Sequence, residues 1–296
     1  MRQKGITNMN KIDSKKGQWR FIVLPFTPKS SEPFDCVGLT LHFLLGNIIV
    51  LHTNLKEFWF GWRVNQLFPQ KNKLEDYCQG KGAQINFRQV CPEQGIRFWL
   101  CGHVDHHKTN LSLFDGFENG QADSAIISFS SEDHLVGFRK AFMHWLSDCG
   151  LPFPEKQEKL ALWPEKISMK GMYILHQALQ KFYVYSAYEH SNKIDLGLFK
   201  DAVAIAPESF MAQDLLAWAY YRNKDYKQAK NLFLRALLSN PNGIGAMSGL
   251  MWCGVFMNDK EDVLYWASRK AELRMEDIEA AQQKALKRFN KYSKIS

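Results

Sequence analysis

The sequence predicts an α/β amino-terminal domain, in the order β-α-β-α-β-β-β-α, followed by an all-α array of helical hairpins. Three observations carry this prediction: an apolar run, polar loop and helix start over residues 19–45, strand patterns over 96–129, and matching positions 34 residues apart in the second half. A chain of 296 residues, 46% hydrophobic, 14% aromatic and 23% charged, can bury cores in about two domains, and it excludes collagen-like, coiled-coil and disulfide-scaffold classes.

Residues 19–26 (WRFIVLPF) form the nearly continuous apolar run of a strand covered on both faces, with Pro25 limiting its pairing. A polar loop follows over 27–33. Asp35 is placed as the N-cap of a helix whose Leu41, Leu44, Leu45 and Ile48 recur at helical spacing. The aromatic stretch 56–64 (KEFWFGWRV) reads as a second strand, and a second helix falls between Gly82 and Gly95, where Pro92 ends or kinks it. Strands follow at 96–104, 109–117 and 124–129, joined by turns at 105–108 and 118–123. Leu111 and Leu113 alternate with Ser112, as one buried strand face requires. A last helix opens at Ser131 and carries Leu135, Phe138, Ala141, Phe142 and Trp145 as an apolar stripe.

The predicted organisation is a basic tail over 1–18, the α/β domain over 19–150, a proline-containing linker over 151–167 and a helical domain over 168–296. In the last of these, Phe199, Ala202 and Pro207 align with Phe233, Ala236 and Pro241 at one interval of 34, with Leu216, Ala217, Tyr220 and Ala229 between them. That is the tetratricopeptide (TPR) pattern, in which small residues let two helices cross closely and a proline closes the hairpin. The unit over 210–241 keeps the full set. The one before it (176–208) keeps only its second-helix half, with a turn inserted at 189–193; the one after (244–273) lacks the proline, and a basic helix over 275–292 reads as a cap. Stacked hairpins leave a concave groove suited to a peptide or helix. Tyr183, Tyr188, Gln213, Trp218, Tyr221 and Met247 are the candidates for its partner-binding wall.

The segments 21–26 (FIVLPF), 37–40 (VGLT), 95–104 (GIRFWLCGHV) and the hairpin 109–129 resemble the TolB-like amino-terminal domain, which stands in front of TPR repeats in bacterial proteins. Together the two halves carry the resemblance from residue 19 to about 275. It implies a regulatory protein, since relatives of this kind carry an upstream winged-helix DNA-binding head of the CadC/ToxR kind or a nucleotide cyclase domain. Eighteen residues precede Trp19, too few for either head, so the regulation it implies is indirect. The stretch 66–81 and Pro92 depart from the resemblance around its second helix.

The net charge of +8 concentrates at the ends: residues 1–20 and 284–296 each carry +5, leaving −2 for the body. Solvated basic ends are therefore expected, with nucleic acid bound at most weakly through them. Six cysteines without a CxxC pair fit free thiols in a reducing compartment, and the apolar run 39–51, interrupted by Thr40, His42, Gly46 and Asn47, is too short for a membrane span. A cytoplasmic protein with no membrane partner is expected.

Chemistry-bearing motifs are sparse. His103, Asp105, His106 and His107 hold enough imidazole and carboxylate for zinc or nickel, but strand alternation and the turn scatter them, so no metal is expected. Gly80-Lys81-Gly82 lacks the rest of a P-loop, and Gly243–Gly249 is misspaced for a dinucleotide fingerprint. No Gly-x-Ser-x-Gly elbow occurs, and Cys101 near His103 reads as a buried thiol. Phe58, Trp59, Phe60 and Trp62 between Lys56 and Arg63 could stack bases, yet such density is ordinarily core. The leading expectation is a non-enzymatic adaptor or regulatory protein that binds another protein through its TPR groove, without catalytic residues or cofactor. The alternatives are a headless transcription-regulatory relative of the CadC/ToxR-like family and a metal-dependent enzyme at 103–107.

Overall fold

The computed structural model describes residues 19–53, 55–59, 67–81, 86–116, 120–151, 160–189 and 193–293. The expected basic tail 1–18, residues 60–64 of the expected strand 56–64, residues 118–119 of the expected turn 118–123, residues 152–159 of the expected linker and residues 190–192 of the expected inserted turn lie outside them.

The amino-terminal unit is a mixed sheet. Its described strands are β1 (Arg20–Val23), β2 (Thr27–Pro28), β3 (Lys56–Glu57), β4 (Ile96–Asp105), β5 (Lys108–Asp115) and β6 (Gly120–Ser128), in the order β3-β1-β4-β5-β6 with β2 also on β4. The pairs β1–β3, β1–β4 and β2–β4 are parallel, while β4, β5 and β6 form an antiparallel meander. The run 19–26 is not one strand, and Thr27–Pro28 is not loop. Val23 pairs with Leu100 and Thr27 with His103, so one extra residue is accommodated around Pro25, which has no N–H to give the ladder. The β4–β5 turn places His106 and His107 at φ 45° and 61°, the left-handed pair that a two-residue hairpin requires.

Around the sheet lie α1 (Gly38–His52), α2 (Lys71–Cys78), α3 (Phe87–Glu93) and α4 (Val136–Asp148). Helix α2 falls in the stretch 66–81 that departs from the resemblance, and α3 carries Pro92 at its last turn. On α4, Phe138, Phe142 and Trp145 are buried as expected but Ala141 is exposed. Arg139 is buried instead, donating to the carbonyls of Leu135, His134 and Trp163. The expected N-cap Asp35 is a correction. Its carboxylate accepts from Ser30 Oγ and from the backbone N–H of His106, both at 2.7 Å, tying the loop to the β4–β5 turn, and α1 begins three residues later. Gly38 is needed there, because a Cβ would lie 1.9 Å from the Phe26 carbonyl oxygen.

The second unit consists of seven described helices: α5 (Met169–Tyr188), α6 (Gly197–Ile205), α7 (Phe210–Arg222), α8 (Tyr226–Ser239), α9 (Ile244–Phe256), α10 (Lys260–Arg274) and α11 (Ile278–Tyr292). Ser168, Ser209, Asp225, Asp259 and Asp277 cap five of them, each accepting a backbone N–H three residues on. Close crossings use small residues. Ala217, Ala229 and Ala236 are fully buried, and the Phe233 ring lies flat on Gly249, where a Cβ would be 2.2 Å away.

Helix α1 joins the units. All fifteen of its residues are buried, including Thr40, His42, Asn47 and His52, because the sheet lies on one side and α5 and α9 on the other. Its first turn is satisfied from the second unit: Leu39 donates its N–H to His176 Nδ1 and the Thr40 hydroxyl donates to the Met172 carbonyl, at 3.2 and 2.7 Å. One hydrophobic core therefore runs from Phe21 to Leu273, with a smaller cluster around Met251, Val263 and Ala285. Among the described residues no helix is long and apolar enough to cross a membrane.

Candidate functional site

The first helices of the hairpins, α5, α7 and α9, turn their shared face toward α1, and the two surfaces do not close completely. Between them is a cavity of about 450 Å3. Its walls follow from helical periodicity. Helix α1 contributes Phe43, Asn47 and Val50; α5 contributes Leu179, Phe182 and Tyr183; α7 contributes Asp214, Leu215 and Trp218; and α9 contributes Gly245, Ser248 and Trp252. Lys270 and Arg274 of α10, Lys56, Glu57 and Trp59 beside β3, and Glu276 and Lys284 complete it.

The ionisable groups in this wall are of two kinds. Arg274 is committed to structure: its guanidinium donates to the carbonyls of Val50 at 2.6 Å and Leu55 at 3.2 Å and to Glu276 at 2.9 Å, closing the carboxyl end of α1. Asp214 and Lys270 are not so committed. Asp214 is 1% exposed, and among the described residues no donor reaches its Oδ1. Burial, reinforced by the charge of Glu165, pushes its carboxyl up to about 8. Among the described residues Lys270 donates to Ser248 Oγ alone, at 3.0 Å, and burial together with the Arg274 charge brings its ammonium down to about 8. Among the described residues the buried Trp59 indole N–H also has no acceptor. Unpaired buried polar atoms are costly in a folded chain, and two of them, Asp214 Oδ1 and the Trp59 indole N–H, belong to residues that line this cavity.

Of the expected partner-binding residues, the structure brings Tyr183 and Trp218 to the cavity. Tyr183 is buried, with its hydroxyl 2.6 Å from His42 Nε2, and is spent on holding α5 to α1. Tyr188 donates to the Phe68 carbonyl, outside the cavity. Gln213 is buried, donates to the Pro207 carbonyl and borders a separate cleft with Arg235 and Leu238. Tyr221 packs against Trp218, Tyr226 and Phe256, and Met247 is core. The inner wall expected to be open to another chain is thus faced by the protein's own α1.

The four residues considered for metal are not brought together as a set. His103 lies within β4 opposite Asn110, and His107 stacks on Phe34. Asp105 and His106 instead meet Asp35, with ligand-type atoms within 4.8 Å of one another. Those atoms have other work: Asp35 holds Ser30 and the His106 N–H, and Asp105 accepts from Lys29 at 2.8 Å, whose ammonium holds its carboxyl below the usual range and opposes a second cation.

Sequence reasoning missed Asp214, Lys270 and Asn47. A signal existed for two of them, since Asp214 is a carboxylate inside the apolar helix 210–219 and Asn47 an amide inside the apolar run 39–51. No protein-family model, curated protein or solved structure matches the chain.

Proposed function

We propose that the chain is a non-catalytic, ligand-responsive binding protein of regulatory type. A TPR-like array grips a helix of its own TolB-like domain, and the two enclose a small-molecule site. The observation that carries this reading is the buried Asp214 carboxyl facing a cavity of ligand size with its Oδ1 unpartnered. Ser248 and Lys270 meet in that cavity, but the Ser248 hydroxyl donates to the Ile244 carbonyl at 2.9 Å and accepts from the Lys270 ammonium at 3.0 Å, the reverse of an activated nucleophile, which favours binding over catalysis. A thermal-shift screen of small aromatic and polar-ended compounds tests the proposal, run in parallel on Ser248→Phe, which fills the cavity from α9. A true ligand at about 100 times its Kd stabilises the wild type by about 2.7 kcal/mol and leaves the variant unmoved. Absence of any stabilising compound, or equal stabilisation of both proteins, overturns it.

A second reading, recruitment of a protein partner, draws on a different observation. Leu234 and Leu238, one turn apart on α8, are 40% and 84% exposed, beside the cleft bordered by Pro207 and Arg235. In that case the partner sits on the outer helices, and Leu238→Glu abolishes its capture without changing the fold.

A further inference from the structure

Three features compete for attention outside the packed core: the interdomain cavity, the Asp35–Asp105–His106 cluster and the exposed leucines of α8. The cluster's hydrogen bonds are internal, and nothing on α8 specifies an occupant. The cavity, in contrast, has poles.

At one pole two acceptors converge on Gly245. Asp214 Oδ2 lies 3.2 Å and Asn47 Oδ1 3.7 Å from the point a Gly245 Cβ would occupy. Asn47 gives one amide hydrogen to the Phe43 carbonyl, and among the described residues no donor reaches Asp214 Oδ1, so the Asn47 oxygen and the Asp214 carboxyl present acceptors at this pole. A divalent cation is a poor match, because two oxygen-bearing side chains fall well short of the six or more ligands calcium or magnesium takes. A nitrogen carrying several hydrogens fits. At the other pole the Lys270 ammonium, one turn further along α9 at Ser248, uses one of its three donors. Residues 245 and 248 are separated by about 4.5 Å of helix rise, a gap that an ammonium and a carboxylate on one carbon can bridge. Phe43, Trp218 and Trp252 add aromatic surface to the wall.

We infer that the cavity binds a free α-amino acid with a large apolar side chain, its ammonium on Asp214 and Asn47, its carboxylate on Lys270 and its side chain against Trp218 and Trp252. This deepens the ligand-site reading above and depends on it. Burial shifts Asp214 and Lys270 toward neutrality; the ligand's ammonium gives Asp214 a countercharge, and its carboxylate joins those of Glu57 and Glu276 in offsetting the Arg274 charge beside Lys270. Binding therefore moves a proton: the neutral Asp214 carboxyl gives its proton to solvent as the ammonium of the ligand docks, and no bond in the ligand changes.

The experiment is calorimetric titration of the full chain at pH 7 in two buffers of different ionisation heat. The probes are L-tryptophan, L-phenylalanine and L-leucine, with tryptamine and indole-3-propionate as analogues lacking one pole each. At least one amino acid is expected to bind with release of close to one proton. Tryptamine is expected to bind at least tenfold more weakly than L-tryptophan but still with proton release, and indole-3-propionate without any. Asp214→Asn should abolish proton release and weaken the amino acid at least tenfold; Lys270→Met should weaken the amino acid and leave tryptamine unchanged. Indole-3-propionate binding as tightly as L-tryptophan, or amino-acid binding without proton release in wild-type protein, overturns the inference. If no amino acid binds while other compounds still stabilise the wild type over Ser248→Phe, the amino-acid assignment fails and the ligand site stands. If nothing binds, both fail.

Discussion

The junction between the two units titrates in opposing directions, and the opposition can be measured. His176 accepts the Leu39 N–H through Nδ1, so protonation there sets two donors against each other. Burial brings this histidine from 6.5 down to about 4. Its contribution to stability is complete at pH 7.5 and is lost as pH falls below 6.5, where the unfolded chain binds a proton that the native chain refuses. At pH 5 the loss from His176 amounts to about 2 kcal/mol, at about 1.4 kcal/mol per pH unit. Asp214 runs the other way. Its carboxyl, raised from 3.8 to about 8, keeps its proton in the native state while the unfolded chain ionises, so the native state loses about 3 kcal/mol between pH 5 and 7.5. Wild-type stability alone therefore hides both effects, and differences between variants expose them. His176→Asn keeps an acceptor near Nδ1 but does not titrate. Urea unfolding at both pH values, followed by tryptophan fluorescence, should show the stability of this variant relative to wild type rising by about 2 kcal/mol from pH 7.5 to 5. Asp214→Asn, relative to wild type, should gain about 3 kcal/mol in the reverse direction, from pH 5 to 7.5. Parallel curves for wild type and either variant would refute the reasoning for that residue.

Other substitutions probe the frame around the cavity. Gly249→Ala places a methyl group 2.2 Å from the Phe233 ring and should cost about 1–3 kcal/mol by overpacking, read from the urea midpoint. Arg139→Ala leaves the carbonyl of buried Trp163 without its donor and should cost about 3 kcal/mol, with hydrogen exchange around 163–165 rising before the rest of the chain. Tyr183→Phe removes the hydroxyl facing His42 and should cost about 1–3 kcal/mol in the same urea assay. Metal analysis of Asp35→Ala and wild type should find no stoichiometric metal in either, because the Asp35 and Asp105 carboxylates are already engaged; a metal bound by wild type and lost in Asp35→Ala would contradict that.

Much of the architecture was legible because its signals are local. The meander 96–128 announced itself through alternation at Leu111, Ser112 and Leu113, and the hairpins through alanines and phenylalanines 34 residues apart. What local pattern could not supply was tertiary competition. Asp35 has the residue type and position of a cap, but the His106 backbone offered its carboxylate a better partner. Tyr183 and Gln213 read as surface anchors on a repeat helix and are instead internal, because a neighbouring helix faces them or their own turn consumes their polar ends. The run 39–51 did contain a warning. It is apolar on every side, and a helix of that kind too short to cross a membrane is surrounded by protein. Read that way, it would have implied something packed on both its flanks, and the repeat helices were the available surface.

Because α1 has no solvent face, severing the chain between the sheet and the repeats would strip an apolar wall from each fragment. The isolated repeats would present α5 and α9 bare, ready to seize any greasy helix offered, so a bait made from them would report its own wound rather than a physiological companion. The protein is better regarded as an obligate intramolecular complex, whose halves must be studied, mutated and expressed together.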